Sequence, residues 1–96
     1  MALKVVWTDE ANEDLDELIL YLEANWTHRE IKSFFRRLED CIESIRNSPQ
    51  RQKDSLRKRG VKEYQLSKQT TIFYNYNKEE VHILRLWLNV KDSRSL

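Results

Sequence analysis

The chain has 96 residues, of which 40% are hydrophobic and 34% charged, the balance of one folded domain over residues 1–96 and not of a disordered segment. Its single cysteine, Cys41, excludes an internal disulfide, and no apolar run approaches the ~20 residues that cross a bilayer. The formal charge of +1 conceals an uneven distribution: residues 1–45 carry 5 Lys/Arg and 11 Asp/Glu, a balance of −6, and residues 46–96 carry 12 and 5, a balance of +7. The basic half suits nucleic acid or an acidic protein, although charge alone favours solvated loops and strand faces.

The start, "MALKVVWTDEANED", turns acidic at Asp9 before a signal-like apolar run develops, so no targeting segment is expected. With one cysteine, the expected compartment is the reducing cytoplasm. Leu3, Val5 and Trp7 alternate with Lys4 and Val6, which predicts a first strand. Thr8 is placed to cap a helix whose first turn holds Asp9 and Glu10, where the helix dipole favours anions. Ala11, Leu15, Leu18, Leu22 and Trp26 recur at helical spacing, predicting a helix over residues 9–25. Glu13, Asp16, Glu17 and an isolated Leu20 occupy its other face, a solvated surface on which Leu20 is either an ordinary exposed leucine or a partner contact.

Thr27 and Glu30 have the spacing of a capping box. The stripe Ile31, Phe34, Phe35, Leu38, Cys41, Ile42 and Ile45 predicts a second helix, ended by Asn47, Ser48 and Pro49. Cys41 falls on this stripe and reads as core. So short a link makes the two helices an antiparallel hairpin.

Between Arg46 and Lys62 lie seven basic residues (Arg46, Arg51, Lys53, Arg57, Lys58, Arg59, Lys62) against one acid, Asp54. Leu56 is the large apolar residue of this stretch and is expected to anchor it to the core, and Gly60 marks a bend. Three strands follow, over 61–67, 70–76 and 81–88, turned by "SKQ" and "NKEE". In the middle strand Ile72, Tyr74 and Tyr76 alternate with Thr71, Phe73 and Asn75. Strict alternation in the last puts Val81, Ile83, Arg85 and Trp87 on one face and His82, Leu84, Leu86 and Leu88 on the other. The tail "NVKDSRSL" reads as polar and irregular.

The order is therefore β-α-α-β-β-β, an α+β domain. An N-terminal edge strand precedes the helical hairpin, which packs on one face of a three-stranded antiparallel meander. The opposite sheet face is left partly open.

Chemical motifs are sparse. There is no Gly-rich phosphate loop and no local set of metal ligands, since His28 and His82 lie far apart, so neither a metal nor another cofactor is expected. What remains is a basic region beside aromatic strands. Arg57, Lys58, Arg59, Lys62, Lys68, Arg85 and Lys91 supply charge, and Tyr64, Tyr74, Tyr76 and Trp87 are candidates for stacking.

Over nearly its whole length the chain resembles the RelE/ParE superfamily of bacterial type II toxins. The opening "VVWTDEANEDLDELILYLEANW", a second helix ending in "NSP", then "LRKRG", "YQLSKQTTIFYNY" and "VHILRLWLNVKDSRSL" carry the likeness, through their order and spacing. The resemblance implies a small toxin neutralised by a cognate antitoxin. The family's nuclease branch cuts ribosome-bound mRNA, which needs acid–base groups and cations around the scissile phosphate. At the branch's early-strand arginine this chain has Thr71, and it has Gln65 and Ser67 where nucleases often carry lysine. No Tyr or His follows His82, and Arg85 comes earlier than the pattern expects, leaving Arg94 in the tail. Threonine cannot supply arginine's fixed charge and forked donors.

The resemblance therefore leans to the ParE-like branch, which poisons DNA gyrase by binding. Two other readings stay open. One is a ribosome-dependent endoribonuclease with an unusual site of Lys68, Arg59, Arg85 and His82. The other is a non-toxic relic that only binds antitoxin.

Overall fold

The computed structural model describes residues 2–88; Lys91 and Arg94, and with them the tail, lie outside the described residues. Strand β1 (Lys4–Trp7) leads into helix α1 (Asp9–Asn25) and helix α2 (His28–Asn47). A 3-10 turn (Pro49–Arg51), a two-residue strand β2 (Lys53–Asp54), β3 (Lys62–Ser67), β4 (Thr70–Tyr76) and β5 (Glu80–Leu88) follow. The strands form one sheet in the order β1-β5-β4-β3-β2. The meander β3-β4-β5 is antiparallel, and β1 adds at its edge, parallel to β5. The short β2, which extends the opposite edge, has no counterpart in the sequence-based reading: two residues are too few to show an alternation.

Local signals set the helix starts. Thr8 Oγ1 accepts the Ala11 N–H at 3.1 Å. At α2 the capping box closes in both directions, with Glu30 N–H donating to Thr27 Oγ1 at 3.2 Å and Thr27 N–H to Glu30 Oε1 at 2.9 Å. The core lies between this helical hairpin and one sheet face. Ala11, Leu18 and Leu22 from α1 and Phe34, Leu38, Cys41 and Ile45 from α2 meet Leu66, Ile72, Tyr74, Val81, Ile83 and Leu86. Burial of each large aliphatic side chain there contributes about 1.5–3 kcal/mol. Desolvation pushes the Cys41 thiol up to about 12, as expected of a core thiol and not a nucleophile.

Strict alternation fails in β5. Tyr74 pairs with Ile83 and Phe73 with Arg85, so Leu84 is an extra, unpaired residue. This bulge reverses the phase of the strand. Val81 and Ile83 share the core with Leu86 and Leu88, while Arg85 and Trp87 line the opposite face. Without the bulge, a guanidinium would enter the apolar layer and two leucines would leave it. Thr8 Oγ1 also lies 3.1 Å from the Leu84 carbonyl oxygen, and Asp14 accepts the Leu86 N–H at 3.0 Å, so the first turns of α1 hold the bulge on both sides.

Leu56 does not anchor its loop; it is fully exposed. Buried Ser55 and Val61 hold the loop instead. Tyr74, a candidate for stacking, is in the core, its hydroxyl donating to the Pro49 carbonyl at 2.6 Å. Tyr64 packs half-buried against the core, where desolvation raises its pKa.

Candidate functional site

The sheet face turned away from the helices carries two cross-strand rows. Glu63, Phe73 and Arg85 are aligned across β3, β4 and β5, with Lys53 of β2 beside Glu63. Gln65, Thr71 and Trp87 form the next row. Phe73 and Trp87 meet edge to face, with ring centroids 4.9 Å apart. Two hollows flank them. The larger, about 370 Å³, is lined by Glu10, Arg57, Lys58, Leu84 and Arg85 among others; the smaller, about 160 Å³, includes Lys53, Glu63, Gln65 and Thr71.

The charges of the sheet on this face are neutralised within the protein. Arg85 is gripped by Asp14, with Nε–Oδ2 at 2.8 Å and Nη2–Oδ1 at 3.1 Å, a two-pronged pair that holds the guanidinium pKa above its usual value. Lys53 lies 3.4 Å from Glu63. On the helix-side face, Lys62, aligned with Tyr74, reaches back to the Gln52 carbonyl and to Asp54, each at 2.9 Å. It braces the chain between α2 and β3 instead of offering its charge outward.

The free cations come from the loop. Arg57, Lys58 and Arg59 are exposed and make no ion pair among the described residues. The Arg57 guanidinium carbon lies 4.7 Å from the centroid of the Trp87 ring, a cation–π contact that roofs the aromatic pair. The loop is tied at its base: Ser55 N–H donates to the Val61 carbonyl at 2.7 Å, and Ser55 Oγ accepts the Arg57 N–H at 3.1 Å. Gly60, at φ +78°, supplies the left-handed residue that closes it.

The remaining candidates are scattered. Lys68 projects from the β3–β4 turn beside Trp26 and Arg37. His82 sits near the other end of the sheet, its Nε2 2.9 Å from Glu80 Oε1 and its Nδ1 3.2 Å from Asn75 Oδ1. Thr70 follows the β3–β4 turn, and Asn75, the partner of His82, is five residues further along β4, or about 17 Å at strand spacing. Lys68, Arg59, Arg85 and His82 are thus not gathered into one site. Among the described residues no cluster of His, Cys, Asp and Glu could hold a metal.

Two features escaped sequence reasoning. Asp14 is not among the helix acids that the sequence singles out, and Phe73 is placed there only by its alternation along the strand. The Phe73–Trp87 pairing was out of reach, because it requires the β5 bulge. No helix among the described residues is long and apolar enough to cross a membrane.

Comparison with known proteins places this geometry. The profile of the ParE toxin of type II toxin–antitoxin systems (parDE) matches residues 5–89. No curated protein matches the chain by sequence. Among solved structures, the chromosomal ParDE system of P. aeruginosa superposes with a TM-score of 0.75 at 16% identity, over 91% of this chain and 96% of that one. The toxin–antitoxin complex DinJ–YafQ of E. coli gives 0.62 at 7%, covering 95% and 97%. The YoeB/ParE toxin of Agrobacterium tumefaciens gives 0.62 at 11%, covering 90% and 98%. At these identities the structural likeness speaks for the fold.

Proposed function

Because the chain belongs to the ParE toxin family of type II toxin–antitoxin systems, we propose that it is a cytoplasmic toxin that binds and poisons DNA gyrase and is neutralised by a cognate antitoxin. The observation that carries this reading is the charge state of the open sheet face. Its arginine, Arg85, is clamped by Asp14, its Lys53 stands beside Glu63 in an exposed pair, and its second row is Gln65, Thr71 and Trp87. Phosphodiester cleavage needs cations free to meet developing charge and an acid–base pair within reach of the same atom. The available cations instead stand on a loop beside an aromatic floor, an arrangement suited to gripping a surface.

The antitoxin is assigned to the other side of the molecule. Edge strand β1 pairs with β5 alone, leaving its second edge for an added strand. Beside it, Val5, Trp7, Leu38 and Ile42 line an apolar groove rimmed by Lys4, Arg46, Glu39 and Glu43. An extended or helical antitoxin segment with apolar anchors fits there, and acidic residues in it would answer the +7 balance of the C-terminal half beyond this rim of mixed charge. Complex formation should weaken at high salt and persist through its apolar contacts.

The test adds purified protein separately to a gyrase supercoiling reaction and to a translating ribosome system. Gyrase inhibition without mRNA cleavage is expected. Alanine at Arg57, Lys58 or Arg59 should give graded, salt-sensitive losses, since exposed pairs are worth about 0–1 kcal/mol each. Robust mRNA cleavage by the parent, abolished by Lys68→Ala or Arg85→Ala alone, would establish the nuclease reading instead. Inactivity in both reactions with antitoxin binding intact would establish the relic.

A further inference from the structure

Leu56 has a relative exposure of 101%. It is the first residue of a loop whose base is closed by the Ser55–Val61 hydrogen bond and whose return is set by Gly60. The neighbouring Arg57 folds back over Trp87, whereas Leu56 remains in water. A loop built in this way holds an apolar side chain out, next to three unpaired cations, before any partner arrives. The backbone part of the cost of presenting Leu56 is thus met in the free protein, which favours association.

We infer that the loop from Ser55 to Val61 is the docking element of this toxin for its protein target, with Leu56 entering an apolar pocket rimmed by carboxylates that pair with Lys58 and Arg59. This rests on the reading that the protein acts by binding a protein. Charge complementarity selects an acidic surface, in keeping with the +7 balance of the C-terminal half. Nucleic acid fits less well, because the Trp87 ring that a base would stack on is already covered by Arg57. One leucine with three cations is also a weak anchor for a bilayer, where stable attachment takes a larger apolar face. Burial of a whole leucine side chain corresponds to roughly a tenfold to hundredfold change in binding constant.

The experiment compares the full chain with its Leu56→Ser and Leu56→Met variants, at matched expression and with melting midpoints recorded. Growth arrest on induction is one readout and titration against purified gyrase at two salt concentrations is another. A 30-nucleotide oligonucleotide and phosphatidylglycerol vesicles are the comparison ligands. Leu56→Ser should weaken arrest and gyrase binding by about tenfold or more with the salt slope and midpoint unchanged. Leu56→Met should restore both. If the parent arrests growth without binding gyrase and Leu56→Ser relieves the arrest, the docking element stands and gyrase falls as the target. If Leu56→Ser is as potent as the parent, the inference is overturned whatever the target. A loss confined to oligonucleotide or vesicle binding overturns the assigned partner class. A parent that neither arrests growth nor binds gyrase overturns both readings.

Discussion

Replacing Asp14 tests how the open face is built. Its carboxylate makes two bonds to Arg85 and accepts the N–H of buried Leu86 at 3.0 Å. In Asp14→Ala all three are lost. The pair with Arg85 is discounted for solvent, because the arginine side chain is 43% exposed, and contributes about 0–1 kcal/mol. The Leu86 N–H, stranded at the edge of the core, costs a further ~1–3 kcal/mol. The loss should therefore total about 1–4 kcal/mol, or a drop of roughly 0.5–2 M in the urea midpoint. Asp14→Asn keeps an oxygen for Leu86 and gives up mainly the charge, so it should lose about 1 kcal/mol. Arg85→Ala leaves the Leu86 bond in place and should also stay near 1 kcal/mol. Urea titration followed by tryptophan fluorescence reads all three variants. Equal losses for Asp14→Asn and Asp14→Ala, or a larger loss for Arg85→Ala than for Asp14→Ala, would refute the role assigned to the Leu86 bond.

Two other outcomes test the core. Leu38→Ala, which opens a cavity between α2 and the sheet, should cost about 2–5 kcal/mol; an unchanged denaturation midpoint would place that stripe outside the core. Burial raises the Cys41 thiol from 9.0 to about 12, so between these values the unfolded chain has released a proton that the folded chain retains. The associated stability is fully present below pH 9.0 and is lost as pH rises toward about 12, by up to ~1.4 kcal/mol per pH unit. Cys41→Ala should flatten this part of the alkaline stability profile, as measured by denaturant midpoints across pH; the same slope in the variant would contradict the assignment.

The sequence by itself determined the parts whose causes are local. Thr8 and the Thr27–Glu30 pair start their helices with side chains three residues from the amides they serve. The stripes of α1 and α2 identify their buried faces because helical spacing is a property of the chain alone. The same holds for alternation in β4, where Ile72 and Tyr74 point into the core and Phe73 away from it. The family resemblance and the element order are borne out as well.

Only the tertiary structure decided the phase of β5, since its bulge is held by Thr8 and Asp14, more than seventy positions away in the chain. That one extra residue carries Arg85 and Trp87 to the open face and creates the pair with Phe73. Long-range pairing likewise separates cations that look alike in sequence. Lys62 and Arg85 are occupied by Asp54 and Asp14, while Arg57, Lys58 and Arg59 stay available. Leu56 shows the same limit. Hydrophobicity predicts that a leucine gains by burial, but whether a neighbouring surface exists to bury it depends on where the folded loop points, and here Ser55 and Val61 hold the loop base so that it points into water.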